Sequence, residues 1–300
     1  MTVKKLLLTA CCLFASGTVG QELTPRAYWP APEGTKVAVA GYGYSSGDTL
    51  FDRSIPLYGV DSELNSFVLA YLQTINLAGR SANLTFELPY SDGKTTGFIE
   101  TTPAQGKYDG FSDLAVTLSV NLSGAPSMNR EQFQALRADP RPLFGASIKV
   151  VAPTGTYNPD KLLNVSGNRW AVRPGIGYVV PLAPKWLLEL GGAVWFFGDD
   201  NDFVAGKKEQ DPVYAAELHL IHRFSPGFWA SLDANYYKGG RQTIGGNRLA
   251  DVQRNSRVGA TLVVPFARRH AIKIGYAAGV VTEFGTDFDQ FLLAYQVLLN

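Results

Sequence analysis

The chain has 300 residues, of which 46% are hydrophobic and only 18% charged, with 27 basic against 26 acidic side chains and a net charge of +1. So even a balance leaves no electrostatic footprint for nucleic acid. Mean hydropathy is −0.02, and no run of eighteen apolar residues follows the N-terminus, which argues against a bundle of membrane helices. A transmembrane barrel, by contrast, hides its apolarity in every second position and looks soluble on average.

The first twenty residues read as a secretory signal. Lys4 and Lys5 form its charged region, Leu6 to Ala15 its apolar core, and Thr18-Val19-Gly20 its small-residue cleavage site. Leu8-Thr9-Ala10-Cys11 also fits a lipoprotein signal, but cutting there leaves an apolar core of only about five residues, short of the usual range. Both cysteines, Cys11 and Cys12, fall inside this leader, so the mature chain is expected to carry no thiol or disulfide. Residues 21–34 follow as a periplasmic segment. Arg26, Tyr28 and Trp29, beside Pro30 and Pro32, make it too rigid and aromatic for an idle tail, and it is expected to fold inward as a plug.

From 35 onward, runs of alternating polar and apolar residues recur twelve times: 35–46, 63–76, 81–91, 111–122, 142–153, 168–181, 186–198, 212–224, 228–239, 255–266, 270–282 and 288–299. In the ninth, Phe228, Ala230, Leu232, Ala234 and Tyr236 share one face, while Trp229, Ser231, Asp233, Asn235 and Tyr237 share the other. Connections alternate between short turns (77–80, 182–185, 225–227, 267–269) and longer loops (47–62, 92–110, 154–167, 199–211, 240–254). That asymmetry marks outer-membrane barrels, and an even strand count leaves both termini in the periplasm. The link 123–141 is long for a periplasmic turn. It holds a helix-prone run, Asn129 to Arg137, ended by Asp139-Pro140 and expected to lie against the barrel rim. Residues 35–300 therefore read as an all-β fold: a single transmembrane antiparallel up-and-down β-barrel of twelve strands in the bacterial outer membrane.

On the lipid face, Trp186, Phe224, Phe228 and Phe266 sit at the turn ends, and Phe196, Tyr214, Tyr236 and Phe291 near the loop ends. Two such girdles match the two bilayer interfaces. Pro174, in mid-strand, predicts a bulge. The opposite face points twelve ionisable side chains into the lumen: Glu87, Asp113, Lys149, Arg169, Arg173, Glu189, Glu217, His219, Arg223, Asp233, Arg257 and Lys273. Mixed signs on neighbouring strands suit either a paired polar core or a selectivity lining, and spacing alone does not separate the two.

No catalytic residue and no metal site emerge. His219 faces the lumen, His222 and His270 lie near the periplasmic rim, and no Cys or carboxylate stands at ligand spacing beside them. Ser231 and His219 fall on adjacent strands without a third group in an orienting role. Gly198-Asp-Asn-rich sequence to Asp202 lacks the glycine and distal Glu of a calcium loop and reads as a solvated loop bridged to lipopolysaccharide by divalent ions. Gly41 and Gly43 sit in a strand, not a phosphate loop, and are expected to ease barrel curvature. No cofactor is implied.

Several stretches resemble one family in order along the chain: Arg26-Ala-Tyr-Trp-Pro-Ala-Pro-Glu-Gly-Thr35, Gly41-Tyr-Gly-Tyr-Ser45, Phe111-Ser-Asp113, Ala152-Pro-Thr-Gly-x-Tyr-x-Pro159, Asn168-Arg-Trp170 and Trp195-Phe-Phe-Gly198. They are similar to the phenol-degradation MetA-pathway family of bacterial outer-membrane proteins. The resemblance implies an outer-membrane barrel linked to aromatic or other hydrophobic compounds, without a defined catalytic site. The expected function is a passive channel for small apolar or aromatic solutes; the alternative is a closed structural or surface-interaction barrel. Expected partners are outer-membrane lipid and lipopolysaccharide, the barrel-assembly machinery, and a small apolar or aromatic solute, with no nucleic acid.

Overall fold

The computed structural model describes residues 24–50, 57–99, 101–161 and 163–299; the leader expected over 1–20 lies outside the described residues. Among them the elements are β1 (Lys36–Leu50), β2 (Leu57–Leu77), β3 (Arg80–Ile99), β4 (Thr102–Phe111), β5 (Leu114–Ser123), α1 (Arg130–Ala138), β6 (Leu143–Ala152), β7 (Ala171–Ala183), β8 (Trp186–Phe197), β9 (Lys208–Gln210), β10 (Val213–Ser225), β11 (Phe228–Gly239), β12 (Gln242–Ile244), β13 (Asn247–Arg248), β14 (Gln253–Ala267), β15 (His270–Val281) and β16 (Gly285–Leu298). Antiparallel pairing runs β2-β1-β16-β15-β14-β11-β10-β8-β7-β6-β5-β3, and β2 pairs with β3 to close the ring. The result is a twelve-stranded barrel. Closure leaves no edge, so every strand finds its backbone partners inside the wall, as a lipid environment demands.

Period two decides which side chains see lipid. Along β11, Trp229, Ser231, Asp233, Asn235 and Tyr237 are buried, while the intervening Leu232 is 64% exposed. Outward apolar side chains recur around the ring, with Trp186, Phe224 and Phe266 exposed at the turn ends and Phe196, Tyr214, Tyr236 and Phe291 exposed toward the loops. In water such a belt would drive aggregation; in a bilayer it is the surface that anchors the barrel. No described helix is long and apolar enough to cross a membrane, and the crossing is made by strands.

Two expected loops turn out to be largely strand. β1 runs to Leu50 and β2 starts at Leu57, so most of 47–62 is ladder; β3 reaches Ile99 and pairs with β4, and the two together occupy most of 92–110. The inner half of β3 pairs instead with β5, from Ala82↔Val120 to Glu87↔Ala115. β4 and β5 thus share one place in the wall, broken at Ser112-Asp113. β2 has 21 residues, roughly ten more than a tilted strand needs to span lipid, so this sheet runs on beyond the bilayer for about 30 Å along its strands at about 3.3 Å per residue. Beyond the lipid the outward face is wet too, as the exposed Asp61, Glu63, Asp92 and Lys94 show. Inward Ser62, Ser91 and Thr95 are polar as well, so the polar–apolar alternation fades while the ladder continues.

Pro174 does not make the expected bulge. The β7–β8 ladder passes from Val172↔Phe196 to Gly175↔Ala193 in unchanged register, leaving a gap where proline has no N–H to give. The link before β6 carries the helix α1. Asn129 accepts from the Gln132 N–H at 2.9 Å and Gln132 Oε1 accepts from the Asn129 N–H at 2.9 Å, a reciprocal cap that starts α1.

Candidate functional site: the lumen and its inner segment

A tight turn places the N-terminal aromatics. Arg26 takes a left-handed φ of 69°, and the Trp29 N–H donates to the Arg26 carbonyl at 3.2 Å. Tyr28 and Trp29 are thereby driven into the periplasmic half of the barrel, where both are buried. The Tyr28 ring lies in a notch made by Gly145 of β6 and Gly177 of β7, which face each other in register. A Cβ at Gly177 would stand 2.1 Å from the ring and one at Gly145 2.4 Å, so only glycine admits it. The Tyr28 hydroxyl pairs with Ser147 Oγ at 2.9 Å, and the Arg26 N–H donates to Glu189 Oε2 at 3.0 Å.

The Arg26 guanidinium lies 5.0 Å from the Trp229 ring and 5.7 Å from that of Trp29, whose ring is also approached by Arg223 at 5.2 Å. Arg223 in turn donates to the carbonyls of Arg137 (3.1 Å) and Pro184 (2.5 Å), which ties α1 to the wall. Met128 and Leu136 of the link pack in one apolar cluster with Tyr28, Trp29, Leu187, Ile221 and Trp229. Segment and link together floor one side of the periplasmic mouth.

Above this floor the ionisable residues pair. Lys149 meets Glu87 at 2.9 Å, Arg173 meets Glu217, and His219 Nδ1 meets Asp233 Oδ1 at 2.7 Å, with Glu217 3.9 Å from Nε2. Asp233 also accepts from Ser231 (3.1 Å) and Thr261 (3.0 Å). Arg257 donates to the Phe288 carbonyl at 2.6 Å, and Lys273 faces the lumen between Val263 and Ala294 of its neighbours. Three of the twelve sit at the ends: Arg223 at the periplasmic mouth, Arg169 and Asp113 at the outer one. Arg169 lies before β7 rather than within it, 4.7 Å over the Phe197 ring and bonded to Gln210. Asp113 accepts from Ser166 Oγ (2.6 Å) and the N–H groups of Gly167 (2.8 Å) and Gly155 (3.0 Å), fastening the 153–170 loop.

The acidic loop at 198–202 is exposed at Asp199, Asn201 and Asp202, with one exception. Asp200 is buried and accepts from the Tyr157 hydroxyl (2.8 Å) and Asn168 Nδ2 (2.8 Å). Burial first, and the Asp200 carboxylate second, raise the Tyr157 pKa well above the usual phenol range. The loop joins a small outer sheet, β12 between β9 and β13, over Phe203 and Ile244. His222 packs outward between Trp186 (4.4 Å) and Phe224 (4.6 Å), and His270 Nδ1 lies 2.5 Å from the Tyr295 hydroxyl. Among the described residues no three His, Cys, Asp or Glu side chains gather as a metal site.

The other side of the lumen differs. Val37, Val39, Gly41 and Gly43 of β1 pair with Leu72, Ala70, Val68 and Ser66 of β2, and Gly43 pairs with Leu292 of β16. All face inward, yet all are only half-buried. In a closed barrel an inward side chain with accessible surface borders open lumen. Toward the outer end Ser45, Leu64 and Phe288 are buried, and the space tightens. Sequence reading missed Ser147 and the Gly145/Gly177 notch; a pair of inward glycines on consecutive strands was the available signal.

With the geometry in place, the sequence profile of the MetA-pathway of phenol degradation family matches residues 34–284. The chain belongs to that family. No curated protein matches it in sequence. Its fold is similar to that of an outer membrane channel from Pseudomonas putida F1, with a TM-score of 0.77 at 24% identity over 93% of this chain and 100% of the other. The transport unit of the autotransporter AIDA-I from Escherichia coli is similar more loosely, with a TM-score of 0.51 at 11% identity over 98% and 97%. Family and fold agree with the apolar outer belt: the chain is an outer-membrane β-barrel.

Proposed function

We propose that the protein is a passive channel for small apolar or aromatic solutes, with the segment carrying Arg26, Tyr28 and Trp29 partly occluding its periplasmic mouth. The observation that carries this is the division of the lumen: one half is filled by the segment and paired charges, and the other keeps an accessible aliphatic wall. The similar Pseudomonas putida protein is an outer membrane channel, and phenol degradation in the family's description suits an aromatic solute. We read the barrel as non-enzymatic, because the Ser231 hydroxyl is spent on Asp233 and does not address His219, so no activated nucleophile is assembled. Outer-membrane lipid surrounds it; lipopolysaccharide and the barrel-assembly machinery are its further proposed partners.

The ion pairs Lys149–Glu87 and Arg173–Glu217 favour a second reading, a sealed structural barrel. Deleting 21–34 separates the two. The channel reading expects single-channel conductance in planar bilayers to rise in the deletion while the barrel stays heat-modifiable on a gel; absence of conductance in both folded proteins supports the sealed barrel.

A further inference from the structure

We infer that solute crosses along one wall only, the lumen side of β16, β1 and β2, and that Gly41 and Gly43 set the width of this route. The inference rests on the channel reading above and adds to it where the path lies and what limits it.

The opposite wall is unsuited at every level. Near the periplasm it is taken up by Tyr28, Trp29, Leu187, Ile221 and Trp229, all buried in one cluster. At mid-height Arg173 reaches across β8 to Glu217 and His219–Asp233 bridges neighbouring strands, and above them Trp195 and Tyr237 are each 1% exposed. Across the barrel, Val37, Val39, Gly41 and Gly43 keep accessible surface at four successive inward levels, flanked by Val68 and Leu292. None of those six carries a charge, and Gln296, Lys273 and Glu87 border the strip on its two sides. Its middle therefore offers apolar contact to a neutral solute, while the space over it stays wide enough for hydrated ions to report its width.

The glycines on the two sides answer different needs. At 145 and 177 an added Cβ would strike the Tyr28 ring. At 41 the nearest atom would be 3.6 Å away and at 43 it would be 3.8 Å away, which are ordinary contacts. Neither residue takes a left-handed φ. Packing and backbone conformation therefore leave both positions free to carry side chains, and what glycine contributes there is empty width. A leucine at either would stand in the lumen beside Val68 and Leu292.

The test uses the refolded mature chain in planar bilayers. Gly41→Leu/Gly43→Leu and, independently, Val68→Phe from the facing strand are compared with wild type. Gly192→Leu is the control: Gly192 pairs with outward Ile176, and an added Cβ there meets nothing within 4 Å. Both lumen variants should lower single-channel conductance several-fold, with the control at the wild-type level and every protein heat-modifiable. A conducting wild type whose conductance survives both lumen changes overturns the route and leaves the channel reading standing. A folded wild type that conducts nothing overturns the channel reading, and the route with it.

Discussion

From β7 to β14 the inner face is packed like the core of a soluble protein, whereas from β16 to β2 its middle stretch keeps accessible surface. The first side buries His219, Asp233 and Glu189 almost completely and satisfies them with one another or with the backbone of the entering segment. The second offers small and aliphatic side chains that are mostly half-buried, with Ala294 and Thr74 as enclosed exceptions. A barrel wall is already closed by its own ladder, so the lumen can be furnished unevenly without loss of fold. One half then serves for stability and anchorage, and the other is free for passage.

The comparison breaks first at Asp233. Its carboxylate accepts from His219, Ser231 and Thr261 in a fully enclosed position, so Asp233→Ala strands three groups and should cost about 3–5 kcal/mol, read by urea titration in lipid vesicles. A loss below about 1 kcal/mol would mean that the charged half is hydrated space and no core. A middle-sized effect is expected from neutralising Arg169 and Arg173 together. Glu217 then lacks its partner, and its field across the lumen should shift the reversal potential in a salt gradient toward cations; an unchanged potential would show that the charged half is electrically silent at the bare wall. The smallest effect belongs to Leu72→Ala on the bare side. A packed leucine lost to alanine costs about 2–5 kcal/mol, but Leu72 is only half-buried, so about 1 kcal/mol or less is expected in the same titration. A full-sized loss there would show that the bare wall is covered after all.

Much of the barrel was legible because lipid enforces the pattern. Every strand that crosses the membrane must alternate, and Phe228 to Tyr237 do so without an exception. The β3–β4 extension was not legible, since Asp92 and Lys94 face water where alternation carries no information. β9, β12 and β13 are too short to leave a period at all. α1 could be read from Asn129 and Asp139-Pro140 because its end signals are local. For the lumen, period two tells which face a charge takes and is silent about its partner. Arg173 reaches past β8 to Glu217 over the small inward residues Ala193 and Gly191, where a Cβ added at Gly191 would lie 3.3 Å from that of Glu217. Such a reach depends on tilt and register, which composition does not encode.

The seat of Tyr28 has a consequence in time. Tyr28 and Ser147 are 119 positions apart, and Gly177 comes later still, so the N-terminal segment emerges long before its notch exists. Loop closure over such a distance is slow compared with pairing neighbouring strands. The segment must therefore wait until β6 and β7 have joined the wall, and its docking is a late event in assembly. The segment is thus the first described part of the chain to emerge and takes its seat only against a wall already built behind it.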